Sequence, residues 1–174
     1  MKRIEDYITT IPDFPEEGIM FRDITTVLND PEGLRLAVDE MAKVLDGVDF
    51  DVIVALESRG FLFGMPMAYK LNKPFVPIRK KGKLPRATVE KSYDLEYGSA
   101  TIEVHKDDLK PGQKVVIVDD LIATGGTVKA AAELVEELGC SVSKIVFLLE
   151  LKGLNGREKL SGYDVASIVS YEGK

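Results

Sequence analysis

One cysteine and one histidine stand in a chain of 174 residues. Cys140 has no partner for an internal disulfide. Together with His105 it falls short of the three or four nitrogen and sulfur ligands of an ordinary zinc site. A catalytic metal would therefore be a hard, oxygen-bound ion such as Mg²⁺. No apolar run approaches the roughly 18 residues of a membrane span. The opening MKRIEDYITT lacks the apolar stretch of a secretory signal. A cytoplasmic protein with no membrane partner is the expectation. Positive charge is not in excess either: 23 Lys and Arg against 29 Asp and Glu leave a net charge of −6. That argues against a nucleic-acid surface. Repeats, low-complexity segments and linkers are absent, so 1–174 reads as one domain. With 45% hydrophobic and 30% charged residues it has the material for an ordinary globular core.

What is present is a strand-to-helix rhythm. Asp51–Leu56 is an apolar, β-branched run that reads as a buried strand. Glu57-Ser58-Arg59-Gly60 makes a tight turn, Phe61–Leu71 a helix, and Asn72 its stop. Phe75–Ile78 is a short strand with prolines that suit an edge or a strand end. Lys114–Val118 is another buried strand and Asp119–Thr127 a loop. Val128–Leu138 is an amphipathic helix closed by Gly139, followed by a strand at Lys144–Leu149. Arg157–Leu160 reads as a short helix and Val165–Val169 as a last strand. Ser92–Val104 reads as a loop leading into an antiparallel excursion. His105 ends the alternating run TIEVHKDD among polar residues and is expected at the surface or a strand edge. Cys140, at a helix-to-strand junction, is expected to be structural. Alternation of this kind implies an α/β domain with a mostly parallel sheet.

Ala123-Thr124-Gly125-Gly126-Thr127 follows a buried strand and opens a helix, where α/β proteins bind ligands. The glycines let backbone approach a ligand closely. The threonines offer hydroxyls, and the helix end offers free N–H groups and a positive dipole end. One phosphate group suits this loop; a plain turn capped by threonine is the alternative. The loop is neither a Walker A nor a G-x-G-x-x-G sequence. Asp119 and Asp120 precede it. Carboxylates repel phosphate, so they must serve hydroxyl groups or a cation, as an acidic residue serves ribose in dinucleotide folds. A helix cap is the other role open to one of them. The basic run Arg79-Lys80-Lys81-Gly82-Lys83-Leu84-Pro85-Arg86 stands out in an acidic chain.

VVIVDDLIATGGT resembles the phosphoribosyl pyrophosphate (PRPP) motif of type I phosphoribosyltransferases. FPEEGIMFRDIT, ESRGFLFG, PFVPIRKKGKLP, SYDLEYG and LLELKGLNGREKL resemble, in the same order, the adenine branch of that family. The resemblance covers nearly the whole chain. It implies the type I phosphoribosyltransferase fold: a mostly parallel central sheet flanked by helices, with a flexible hood loop. It implies transfer of phosphoribosyl from PRPP to adenine, with Mg²⁺ held mainly through PRPP, in a homodimer. The same transfer to another base and a PRPP-sensing regulatory module are the rival readings.

The resemblance also implies roles. Ala123, Thr124, Gly125, Gly126 and Thr127 would cradle the 5′-phosphate, and Asp119 and Asp120 would hold the ribose hydroxyls. Glu57, Ser58, Arg59 and Gly60, with Arg79, Lys80 and Lys83, would hold pyrophosphate, the basic run often reaching a neighbouring subunit's site. About 80–104 would form the flexible loop, Lys83–Tyr97 being the hood proper, with Tyr97 packed over the site. Glu96 would stand near the reacting carbon, joined in catalysis by Arg59 and Lys83. About 1–35 would form the base-covering segment, with Ile19, Phe21 and Arg22 at adenine. Pro12, Pro15 and Gly18 keep that segment non-helical and its backbone groups free.

Overall fold

The computed structural model describes residues 2–95 and 97–173. Alternation in the apolar strands builds a three-layer core. In β3 (Val52–Leu56), Ile53 and Ala55 face one helical layer while Val52, Val54 and Leu56 face the other. In β7 (Lys114–Ile122), Val116 and Val118 join the first layer, Val115 and Ile117 the second. In β8 (Ser141–Leu151) the same split separates Val146 and Leu148 from Ile145 and Phe147. Period-2 strands buried on both faces are what a parallel sheet between helices requires. Helices α2 (Pro31–Lys43) and α3 (Arg59–Leu71) cover the first face, and α4 (Gly126–Glu137) the second.

The seven-stranded sheet runs, in order, β5 (Thr88–Asp94), β6 (Ser99–His105), β4 (Phe75–Lys80), β3, β7, β8 and β9 (Val165–Tyr171). The strands from β4 across to β9 pair in parallel. From β3 the chain crosses through α3 to β4 on one side; from β7 it crosses through α4 to β8 on the other. The reversal opens a crevice at the carboxyl ends of β3 and β7, where ligands bind in open α/β sheets.

Several sequence expectations change here. The antiparallel excursion expected at 92–104 is present, but Ser92–Asp94 and Ser99–Val104 are strand and not loop. β5 and β6 form an antiparallel hairpin, paired from Thr88↔His105 to Asp94↔Ser99, and β6 continues onto β4. β4 therefore lies inside the sheet. Its Pro77 is tolerated because the β6 ladder begins only at Arg79↔Glu103, so no hydrogen bond is lost. His105 is buried, not superficial: its Nδ1 lies 3.0 Å from Asp108 and its Nε2 accepts from the Arg86 N–H at 3.4 Å. The stretch read as a loop at 119–127 is strand through Ile122 and helix from Gly126.

The N-terminal segment holds a hairpin of β1 (Thr9–Pro12) and β2 (Met20–Asp23), a short helix α1 (Thr25–Leu28), and α2. α2 starts on Asp30, whose carboxylate accepts from the Glu32 and Gly33 N–H groups, with Pro31 at the first position. α3 ends on Asn72 in a left-handed conformation and α4 is followed by Gly139 at φ +81°. The short helix near the C-terminus is α5 (Gly156–Lys159).

α3 presses on β3 at Gly64, where an added Cβ would lie 2.6 Å from the Ala55 Cβ and 3.1 Å from a Phe75 ring carbon. Alanine is favoured over glycine in a helix by up to about 1 kcal/mol. A clash with a strand Cβ that cannot swing away outweighs this, since overpacking costs about 1–3 kcal/mol. Gly64→Ala is expected to lower unfolding free energy in a urea titration.

Candidate active site

Both walls of the crevice come from turns that follow buried strands. After β3, the Glu57–Ser58 peptide is cis and Arg59 and Gly60 open α3. An added Cβ on Gly60 would stand 2.8 Å from Asp119 Oδ1 and 3.1 Å from the Val118 carbonyl oxygen. Only glycine lets α3 approach β7 this closely. After β7, Gly125 adopts φ +79° and caps α4. The resulting cleft of about 420 Å³ is lined by Glu57, Ser58, Arg59, Lys80, Asp119, Asp120 and the Ala123–Thr127 loop, with Tyr93 above.

The acid pair forms the cleft floor. Asp120 is 5% exposed, and its Oδ2 has no aligned hydrogen bond, although Arg59 Nε stands 2.9 Å away as an ion pair. Asp119 accepts from the Asp120 N–H at 2.9 Å. Removal from water, with Asp120's charge beside it, pushes the Asp119 carboxyl well above its usual range. Hydroxyl donors or a cation on this pair would relieve both strains.

A second, smaller pocket of about 130 Å³ opens from the same floor. Ile19, Met20, Phe21, Arg22 and Leu151 line it, and Arg59, Asp120 and Leu121 are shared with or adjoin the cleft. Thus Ile19, Phe21 and Arg22 come together beside the acid pair. Arg22 is held by Thr10 and stacks over the Tyr171 ring at 4.0 Å. Phe21 meets the Phe14 ring edge-on at 5.2 Å.

The remaining expected residues are placed less directly. Glu57 turns its carboxylate to Arg79 Nε and to the Lys80 N–H, both at 3.0 Å. Burial raises its pKa, but these donors outweigh burial and leave it below the usual value. A carboxylate so engaged is a poor pyrophosphate ligand, and Glu57 instead ties β3 to β4. Arg79 faces Glu57 rather than the cleft. Lys83 lies in a turn whose Gly82, Lys83 and Leu84 N–H groups all converge on Glu103 Oε1 at 2.9–3.1 Å. Lys80 does line the cleft. Tyr97 is 88% exposed and does not pack over the floor. Glu96 lies outside the described residues.

Sequence reading missed Tyr93, whose hydroxyl accepts from Thr127 Oγ1 at 3.1 Å. It also missed Lys159, which lines a neighbouring hollow with Thr124, Gly126 and Thr127. Both reach the loop from elements distant in sequence, and no local pattern announces them.

Loop, acid pair and second pocket meet at the topological switch point, where open α/β sheets bind ligands. The chain belongs to the phosphoribosyl transferase domain family, whose model matches residues 25–171. It is 71% identical over 174 residues, 100% of both chains, to an adenine phosphoribosyltransferase of Agathobacter rectalis. Its structure resembles the adenine phosphoribosyltransferase of Thermoanaerobacter pseudethanolicus, with TM-score 0.93, 54% identity and coverage of 97% and 98% of the two chains. It also resembles the Saccharomyces cerevisiae enzyme solved with an imino-altritol bisphosphate and adenine, with TM-score 0.89, 40% identity and coverage of 95% and 96%. The fold is that of a type I phosphoribosyltransferase.

Glu103, 4% exposed, is opposed by burial, yet its three backbone donors hold it below the ordinary glutamate value of 4.5. A depressed folded-state pKa stabilises above the unfolded value and is lost as pH falls through the folded one. Glu103→Gln is expected to melt below the parent at pH 7, with the gap narrowing below about pH 4.5 in thermal melts.

Proposed function

We infer that this chain transfers the 5-phosphoribosyl group of PRPP to N9 of adenine, giving AMP and pyrophosphate and so salvaging a free purine. The observation that carries this reading is the meeting of the phosphate cleft and the small pocket at Arg59 and Asp120. With the 5′-phosphate on Ala123–Thr127 and the ribose hydroxyls on Asp119 and Asp120, the anomeric carbon faces that junction. The base then lies on the Ile19–Arg22 side. The two-stranded sheet leaves the outer edge of β2 with backbone N–H and C=O groups that β1 does not use. Such a pair matches the amino donor at C6 and the acceptor at N1 of adenine, whereas a 6-oxopurine reverses the pattern.

Among the described residues no group of three or more His, Cys, Asp or Glu side chains converges. The acids lining the cleft are Asp119, Asp120 and the already engaged Glu57. This donor set fits an ion whose oxygens come mostly from PRPP itself, with the acid pair nearby. Mg²⁺ held there, with Asp119 and Asp120 nearest to it, would supply positive charge against the pyrophosphate. Arg59 and Lys80 stand where pyrophosphate would leave and stabilise its developing charge. Glu96 is assigned to the positive charge that grows on the ribose ring, or to the N9 proton. The loop and β2 hold both reactants in line.

A second copy of the chain is the proposed partner. Leu62, Met65 and Tyr69 repeat at helical spacing on α3 and are 45%, 54% and 87% exposed, an apolar stripe suited to burial against a like surface. Arg79 and Lys83, which do not line this chain's own cleft, are then available to the neighbour's. Among the described residues no helix is long and apolar enough to cross a membrane. A cytoplasmic reaction is part of the proposal.

Spectrophotometric assay with adenine and PRPP, with and without Mg²⁺, is expected to show AMP formation that depends on the metal. Inertness toward PRPP with every purine offered would overturn the reading. Asp120→Asn is expected to raise the KM for PRPP about tenfold or more, because a hydrogen bond to a charged group is worth about 1.5–3 kcal/mol. The KM for adenine should move far less; equal change in both would remove Asp120 from the ribose. Glu96→Gln is expected to lower kcat by about a hundredfold, the usual range for a proton-transfer or charge-stabilising group, with little change in PRPP affinity.

A further inference from the structure

We propose that Arg157 and Glu150, outside the substrate cleft, are positioning residues that set the phosphate loop through Gly156. The inference rests on the reading of Ala123–Thr127 as the 5′-phosphate site.

The contact begins with two glycines. A Cβ on Gly125 would fall 2.5 Å from the Gly156 carbonyl oxygen, and a Cβ on Gly156 would fall 2.3 Å from the Ala123 carbonyl oxygen. The loop and the start of α5 therefore pack backbone on backbone, with no side chain between them. Gly125 also holds the left-handed conformation that aims the first amides of α4. A rigid neighbour on its back is a direct means of keeping it there. By contrast, a Cβ on Gly126 would meet nothing within 4 Å, which leaves the front of the loop open.

Something must in turn hold α5, which is four residues long and too short to be stable alone. Arg157, the residue after Gly156, does so. Its Nε donates to both oxygens of Glu150 at 2.8 and 2.9 Å. Its Nη1 donates to the Val165 carbonyl at 2.9 Å and its Nη2 to Ser167 Oγ at 3.2 Å. One guanidinium thus joins the end of β8, the start of β9 and α5. The Glu150 side chain is only 9% exposed, so the pair is unlike an exposed ion pair of negligible worth. Removing one partner strands a buried charge. Lysine cannot substitute, because a single ammonium lacks the planar fork that reaches all these acceptors.

Preorganised donors lose their value when displaced, and a shift of about 1 Å can cost up to a hundredfold. Arg157→Met and Arg157→Lys are therefore expected to raise the KM for PRPP about tenfold or more while the KM for adenine at saturating PRPP changes less than about twofold. Calorimetry with ribose 5-phosphate, which carries neither base nor pyrophosphate, should show the same loss of affinity. Lys152→Ala, which removes an exposed pair with Glu172 on the same segment, should leave both parameters at the parent's values. Should Arg157→Met fail to fold, Arg157→Lys and Glu150→Gln decide the matter. Parent-like affinity for ribose 5-phosphate in a folded Arg157 variant, or an equal rise in both KM values, overturns the proposal. If the parent itself binds no ribose 5-phosphate and makes no AMP, it is the assignment of the loop that fails.

Discussion

Two neighbouring carboxylates, Asp119 and Asp120, lie within β7 directly after Val115 to Val118, which are wholly buried. Like charges that close are costly away from water. Arg59 faces one of them, and the other carries a raised pKa. Much of the site follows from accommodating this pair. Gly60 is needed because Asp119 leaves no room for a Cβ. Arg59 is held at the junction of the two pockets because Asp120 is there. On the proposed function, sugar hydroxyls would supply the donors that the protein withholds from the pair.

Around that floor, carboxylates organise backbone more than they bind ligand. Glu57 gathers Arg79 and the Lys80 amide, Glu103 gathers three amides of the basic turn, and Glu150 gathers Arg157. Each is a buried or nearly buried acid whose donors come from a different element, and each keeps its charge for that reason. The basic run is thereby given a definite course instead of behaving as a solvated charge cluster. Of the residues that the resemblance assigns to pyrophosphate, Glu57 and Arg79 engage each other while Arg59 and Lys80 line the cleft.

Features whose physics is local were legible in the chain before any folding. Apolar, β-branched runs marked β3, β7 and β8 as buried strands, because a strand covered on both faces is apolar throughout. Asn72 and Gly139 ended helices because left-handed caps favour those residues. The glycine–threonine loop after an apolar strand carried the expectation of an anion site, because free helix amides attract phosphate. Tertiary structure alone decided the rest. It paired 88–94 with 99–105, buried His105 beside Arg86 and Asp108, and brought Ile19–Arg22 to Arg59 and Asp120. It also set Gly156 against Gly125. Ile19–Arg22 and Gly125 meet partners far along the chain, and an apolar or charged side chain carries no mark of which distant neighbour will satisfy it. Only the closing of the sheet, which fixes strand order and register, selects among them.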